Sequence, residues 1–80
     1  MTLLSAKLQA VLARIASAAR QYGRDPGDVR LLAVSKTWPA ACVCEAALAG
    51  QAAFGESFVR EGLEKVGALA SLGLDWHFIG

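Results

Sequence analysis

The sequence predicts an α/β fold built on a parallel sheet, and three observations lead there. Helix-like and strand-like segments alternate along the chain as helix, strand, helix, strand, helix, strand. The first strand-like run, Arg30 to Ser35, is largely apolar in both of its alternating sets, as a strand covered on both faces would be. Each connection between strands is long enough to carry a crossover helix, the condition for parallel pairing in right-handed βαβ units.

The first helix is expected over Leu3 to Tyr22, where Leu4, Leu8, Val11, Leu12, Ile15, Ala19 and Tyr22 recur at helical spacing, with Lys7, Arg14 and Gln21 opposite them. Gly23 supplies its stop, and Arg20 places a cation at the negative end of the dipole. Such a basic amphipathic helix packs on a core or, in its other reading, meets a membrane surface or a partner. Arg24-Asp25-Pro26-Gly27-Asp28 is a turn by chemistry, with Pro26 presetting φ and Asp25 able to bond its own backbone. In the strand that follows, Leu32, Val34 and Lys36 share one side, and Leu31, Ala33 and Ser35 share the other. A second helix is expected from about Ala40 to Ala49, with Thr37 or Trp38 near its cap, Pro39 in its first turn and Gly50 at its end. Ala52 to Gly55 reads as a second strand. A third helix is expected from about Phe58 to Leu72, with Val59, Leu63, Val66, Leu69 and Ala70 as its inner face and Gly73 closing it. Asp75 to Gly80 reads as a third strand.

Composition removes several classes of function. Eighty residues, 55% hydrophobic and 19% charged, describe one compact unit, either a small domain or a piece of one. A formal net charge of +1 offers no electrostatic footprint for a phosphate backbone, so nucleic acid is not an expected partner. Lys7, Arg14 and Arg20 interrupt the amino-terminal apolar residues, which excludes a membrane span or secretory signal there. Residues 1–24 do carry four basic residues and no acid, a pattern that an organelle-targeting peptide shares with a packing helix. Cys42 and Cys44, two residues apart in a helical stretch, point away from one another, and no second ligand pair accompanies them. Neither a disulfide nor a metal site is expected, and a reducing, cytoplasmic setting fits.

The chemistry centres on Lys36, at the exit of the first strand, where parallel α/β folds gather ligands. An ammonium among aliphatics is costly, so an amine held there favours its neutral form, a nucleophile able to form a Schiff base with an aldehyde. The other reading has Lys36 reaching solvent or pairing with a carboxylate such as Glu56. Glu56, Ser57 and His77 lie at or near the exits of the later strands and could converge with Lys36 on one edge. Their alternatives are structural: Glu56 complementing the next helix's dipole, Ser57 its N-cap, and His77 a satisfied core residue. No G-x-G-x-x-G motif or phosphate loop is present.

Leu32-Ala33-Val34-Ser35-Lys36-Thr37 followed by Pro39, then Ala49-Gly50-Gln51, Phe54-Gly55-Glu56, Val59, Glu61 and Trp76-His77-Phe78-Ile79-Gly80 resemble the amino-terminal part of the pyridoxal phosphate homeostasis proteins. This family is also described as YggS-like or as the proline synthetase co-transcribed homologue. The resemblance implies that residues 1–80 are the amino-terminal part of a single (β/α)8 TIM barrel domain of the alanine racemase amino-terminal type, incomplete at about three parallel strands and three helices. It implies pyridoxal 5′-phosphate (PLP) as cofactor, held as a Schiff base on Lys36, with Val34, Glu56, Ser57 and His77 as further candidate contacts and no catalytic or metal-ligating residue. The implied role is cofactor storage and delivery, with PLP-dependent apoenzymes as recipients and an influence on amino-acid balance, without established turnover. An alanine-racemase-like enzyme fragment and an interaction fragment that binds no cofactor are the alternatives. The family's Phe-Gly-Glu-Asn-Tyr-Val reads Phe54-Gly55-Glu56-Ser57-Phe58-Val59 here, exchanging an amide for a hydroxyl and removing a phenol. Closure of a barrel takes eight strands, so three strands ending at Gly80 would leave an open edge prone to self-association.

Overall fold

In the computed structural model, which describes residues 3–80, the chain divides into two compact units, Met1–Leu31 and Leu32–Gly80. The first holds helix α1, Leu3–Gln21, and a short 3-10 turn, Pro26–Asp28. Leu8 and Ala19 are its buried residues, whereas Val11 and Tyr22, expected on the inner face, are exposed. Gly23 adopts φ +74° and ends the helix: the Arg24 N–H donates to Ala19 O at 2.8 Å and the Gly23 N–H to Arg20 O at 3.1 Å. This Schellman pairing satisfies carbonyls that the helix leaves open. The predicted turn chemistry holds as well, because Asp25 Oδ1 accepts from the Gly27 N–H at 2.9 Å and Asp25 O from the Asp28 N–H at 2.9 Å.

The second unit is a three-stranded parallel sheet in the order β1-β2-β3, with β1 at Ala33–Val34, β2 at Ala53–Glu56 and β3 at Asp75–Phe78. Helix α2, Ala40–Leu48, connects β1 to β2, and α3, Val59–Ala68, followed by a 3-10 turn at Ala70–Leu72, connects β2 to β3. The predicted alternation and parallel sheet are therefore present, with corrections to the boundaries: α3 ends at Ala68 rather than Leu72, and β3 at Phe78 rather than Gly80. The regular part of β1 is two residues rather than six, although the Ser35 N–H still bonds Gly55 O at 2.9 Å. Strand β2 runs one residue later than expected, which puts Glu56 inside the sheet. Pro39 itself caps α2, with no side-chain cap bond, so neither Thr37 nor Trp38 plays that part.

In parallel pairing, residues in register share a face. Ala33, Phe54 and Trp76 therefore stand together, and the next row on that face brings Ser35, Glu56 and Phe78 together. Phe54 is 2% exposed and its ring lies 5.7 Å from that of Trp76, tilted by 38°. The opposite face carries Leu32 and Val34, the parity expected from alternation, and Lys36 follows in the turn after β1. The expectation that both faces are covered is not met in this unit: Leu32 and Val34 are exposed. Gly55 opens a dip on that face over which Ile79 and Leu32 close, at 3.2 and 3.6 Å from where a Cβ would stand.

Helix α3 turns a different side inward from the one its apolar residues suggest. Leu63 is 60% exposed and Val59 is exposed, while Gly62, Lys65 and, just beyond the helix, Leu69 are buried. The inner stripe runs Gly62, Lys65, Val66, Leu69: Val66 and Leu69 face in as expected, while Gly62 and Lys65 stand where Val59 and Leu63 were expected. Gly62 makes the close approach workable, since a Cβ there would sit 2.6 Å from Phe78 Cε1. Gly67 has no such neighbour within 4 Å. Gly67→Ala is accordingly expected to stabilise the protein by about 1 kcal/mol in urea denaturation, the helix-propensity difference between the two residues.

Candidate functional site

At the carboxyl ends of β1 and β2 the sheet carries different chemistry on its two faces. On the covered face, Lys65 of α3 is 4% exposed and Glu56 of β2 is 0% exposed. The Lys65 ammonium donates to Glu56 Oε1 and Oε2 at 3.1 and 3.0 Å, to Glu61 Oε2 at 3.0 Å and to the Ser35 carbonyl at 2.6 Å. The Ser35 hydroxyl donates to Glu56 Oε2. Three ammonium protons thus meet acceptors on β1, β2 and α3, the condition under which a buried charge is tolerated.

The network also reaches the turn after β1. Glu61 Oε2 accepts the Thr37 N–H at 2.7 Å, and the Trp38 N–H donates to Ser35 O at 3.0 Å. Thr37 has φ +68°, a left-handed conformation that a β-branched residue adopts only under constraint. Lys36 stands between these anchors, exposed and without a hydrogen bond or ion pair among the described residues. A groove lined by Thr37, Trp38, Pro39, Glu61 and Glu64 lies beside the turn and does not include Lys36.

The residues singled out by sequence divide between the two faces. Val34 shares the open face with His77, which is in register with Gly55 and through it with Val34, and Lys36 follows in the turn after β1. His77 is exposed and its Nε2 lies 3.2 Å from Asp75 Oδ2, so it is not a core histidine. Glu56 does not join them. It faces the helix side and is committed to Lys65 and Ser35, which corrects both its expected pairing with Lys36 and its expected role at the α3 dipole. Ser57 is not the N-cap of α3: Phe58 occupies that position without a side-chain cap bond. The Ser57 hydroxyl is buried with no hydrogen-bond partner among the described residues. Sequence reasoning missed Lys65 because a lysine among apolar helix positions reads as solvent-facing. The Glu61–Lys65 spacing of four was the available signal, but it reads equally as an exposed helical pair.

The structure is that of a parallel α/β unit, a fold class that places ligands outside the carboxyl ends of its strands. No family model matches the chain. Curated relatives do: the chain is related along its whole length to the pyridoxal phosphate homeostasis proteins. It is 52% identical to that of Pseudomonas aeruginosa over 80 residues, all of this chain and 35% of that protein. It is 50% identical to that of Escherichia coli over 70 residues, 84% of this chain and 30% of that one. PipY of Synechococcus elongatus, solved with PLP bound and without it, matches 86% of this chain and 32% of its own with a TM-score of 0.64 and 41% identity. The chain therefore spans about a third of the length of the curated relatives it matches.

Proposed function

We propose that this chain is the part of a PLP-binding homeostasis protein that carries the attachment lysine, Lys36. The observation that carries the reading is an exposed amine in the turn at the exit of β1, next to a strand whose Val34 shares a face with His77, in a chain 52% identical to a protein named for PLP homeostasis. Lys36 would hold the cofactor through Nζ, and the cofactor would supply the aldehyde carbon for that attachment, its oxygen leaving as water. The donor set suits that group. Leu32, Val34 and Ile79 offer apolar surface to an aromatic ring, and Ser57 holds an uncommitted hydroxyl near the same strand exits. His77, with Asp75, adds a polar edge. Glu56 supports the turn rather than touching the cofactor.

The name of the relatives, pyridoxal phosphate homeostasis protein, supports a wider reading. Residues 1–80 belong to a single (β/α) barrel domain, and the protein stores the cofactor and releases it to PLP-dependent apoenzymes in the cytoplasm, with amino-acid balance as the consequence and without turnover of its own. Among the described residues no helix is long and apolar enough to cross a membrane.

The reading is tested by titrating the intact protein with PLP, reducing with borohydride and mapping the modified peptides. Saturable labelling confined to Lys36, abolished by Lys36→Arg, is the expected result. Labelling spread over exposed lysines such as Lys7, or left in place by Lys36→Arg, would sink it.

A further inference from the structure

We propose that Glu61 and Lys65 are positioning residues for Lys36, a role that rests on the reading of Lys36 as the attachment point and extends it to α3. The two peptide groups flanking the Lys36 Cα are each held by a side chain from this one helix. The Ser35 carbonyl on the amino side accepts from Lys65 Nζ at 2.6 Å, and the Thr37 N–H on the carboxyl side donates to Glu61 Oε2 at 2.7 Å. The two side chains are themselves joined at 3.0 Å across one helical turn, so they act as one clamp. Lys65 is anchored in turn by Glu56 at the carboxyl end of β2. The clamp explains the left-handed Thr37, since a backbone conformation of that kind persists where its surroundings over-determine it. It also explains why charge is buried beside an exposed lysine: Lys65 and Glu61 hold the peptide groups on either side of Lys36 and together set the direction in which its Cα–Cβ bond leaves the turn.

The test separates this role from simple support of the fold. In the intact protein, Glu61→Ala is expected to slow borohydride-trapped labelling of Lys36 by PLP about tenfold relative to labelling of Lys7. The Thr37 amide is expected to exchange with deuterium at the rate of an open loop in that variant, and slowly in the unsubstituted protein. Glu61→Gln keeps a carbonyl oxygen for the Thr37 N–H and is expected to restore most of the labelling rate. Unchanged labelling in folded Glu61→Ala overturns the proposal, as does fast Thr37 exchange in the unsubstituted protein, a measurement that needs no variant to fold. If Lys36 of the unsubstituted protein labels no faster than Lys7, the attachment reading falls instead, and the Thr37 exchange difference still decides whether the clamp exists.

Discussion

Lys65→Met is expected to cost about 3–5 kcal/mol of folding stability, the penalty for breaking a buried ion pair by removing one partner. The substitution keeps the length of the side chain and removes its charge. Glu56, fully enclosed, would then hold a carboxylate facing only the Ser35 hydroxyl, and the Ser35 carbonyl would lose its 2.6 Å donor. An uncompensated charge in such surroundings is the expensive part. Adding Glu56→Gln to Lys65→Met is therefore expected to recover much of the loss, because a pair of neutral groups leaves no buried charge behind. Urea denaturation of the two single variants and the double variant measures the coupling directly. Additive losses, with no recovery in the double variant, would show that the pair does not act as a unit.

Phe54→Ala is the second large effect, with an expected loss of about 3–5 kcal/mol. Phe54 sits on the central strand, 2% exposed, between Ala33 on one side and Trp76 on the other. Truncation removes the ring from its contact with Trp76 and leaves a void in a close-packed core, which relaxes only partly. The folding stability of a domain of this size is of the same order as the loss, at roughly 0.05–0.15 kcal/mol per residue. A shifted denaturation midpoint with an unchanged slope is the expected observation, since the surface exposed on unfolding barely changes. A loss under 1 kcal/mol would mean that the β2 core is less tightly packed than its burial implies.

Much of the architecture was legible before any coordinates. The helix ends at Gly23 and Gly50, and the end of the 3-10 turn at Gly73, coincide with positive φ values, because only residues without a Cβ take those conformations at little cost. The alternation from Leu32 to Ser35 gave the correct parity, since a strand has a period of two whatever packs on it. The shortness of β1 was not legible: a ladder's length depends on the partner strand, which local pattern does not see.

The inner side of α3 was the main misreading, and its cause is physical. Leu63 and Val59 are the residues a hydrophobic pattern selects, and they face outward, while Gly62 and Lys65 face in. A pattern ranks residues by their individual transfer free energies, and on that scale a lysine belongs in water. Once Glu56, Glu61 and the Ser35 carbonyl are assembled around it, the same ammonium is satisfied, but those partners come from three separate stretches of chain. Glu56 was misassigned for the same reason, as its partner is the lysine on α3 and not the lysine one strand away.

The order of elements, the parallel sheet, the turn at Asp25-Pro26-Gly27 and the position of Lys36 at a strand exit are written in local chemistry, where spacing, capping and backbone restriction act within a few residues of one another. Which face of the sheet receives Glu56, and which residues grip the backbone on either side of Lys36, was decided only when β1, β2 and α3 came together. A buried charge has no stable place until all of its partners are present, and their joint presence is a property of tertiary structure.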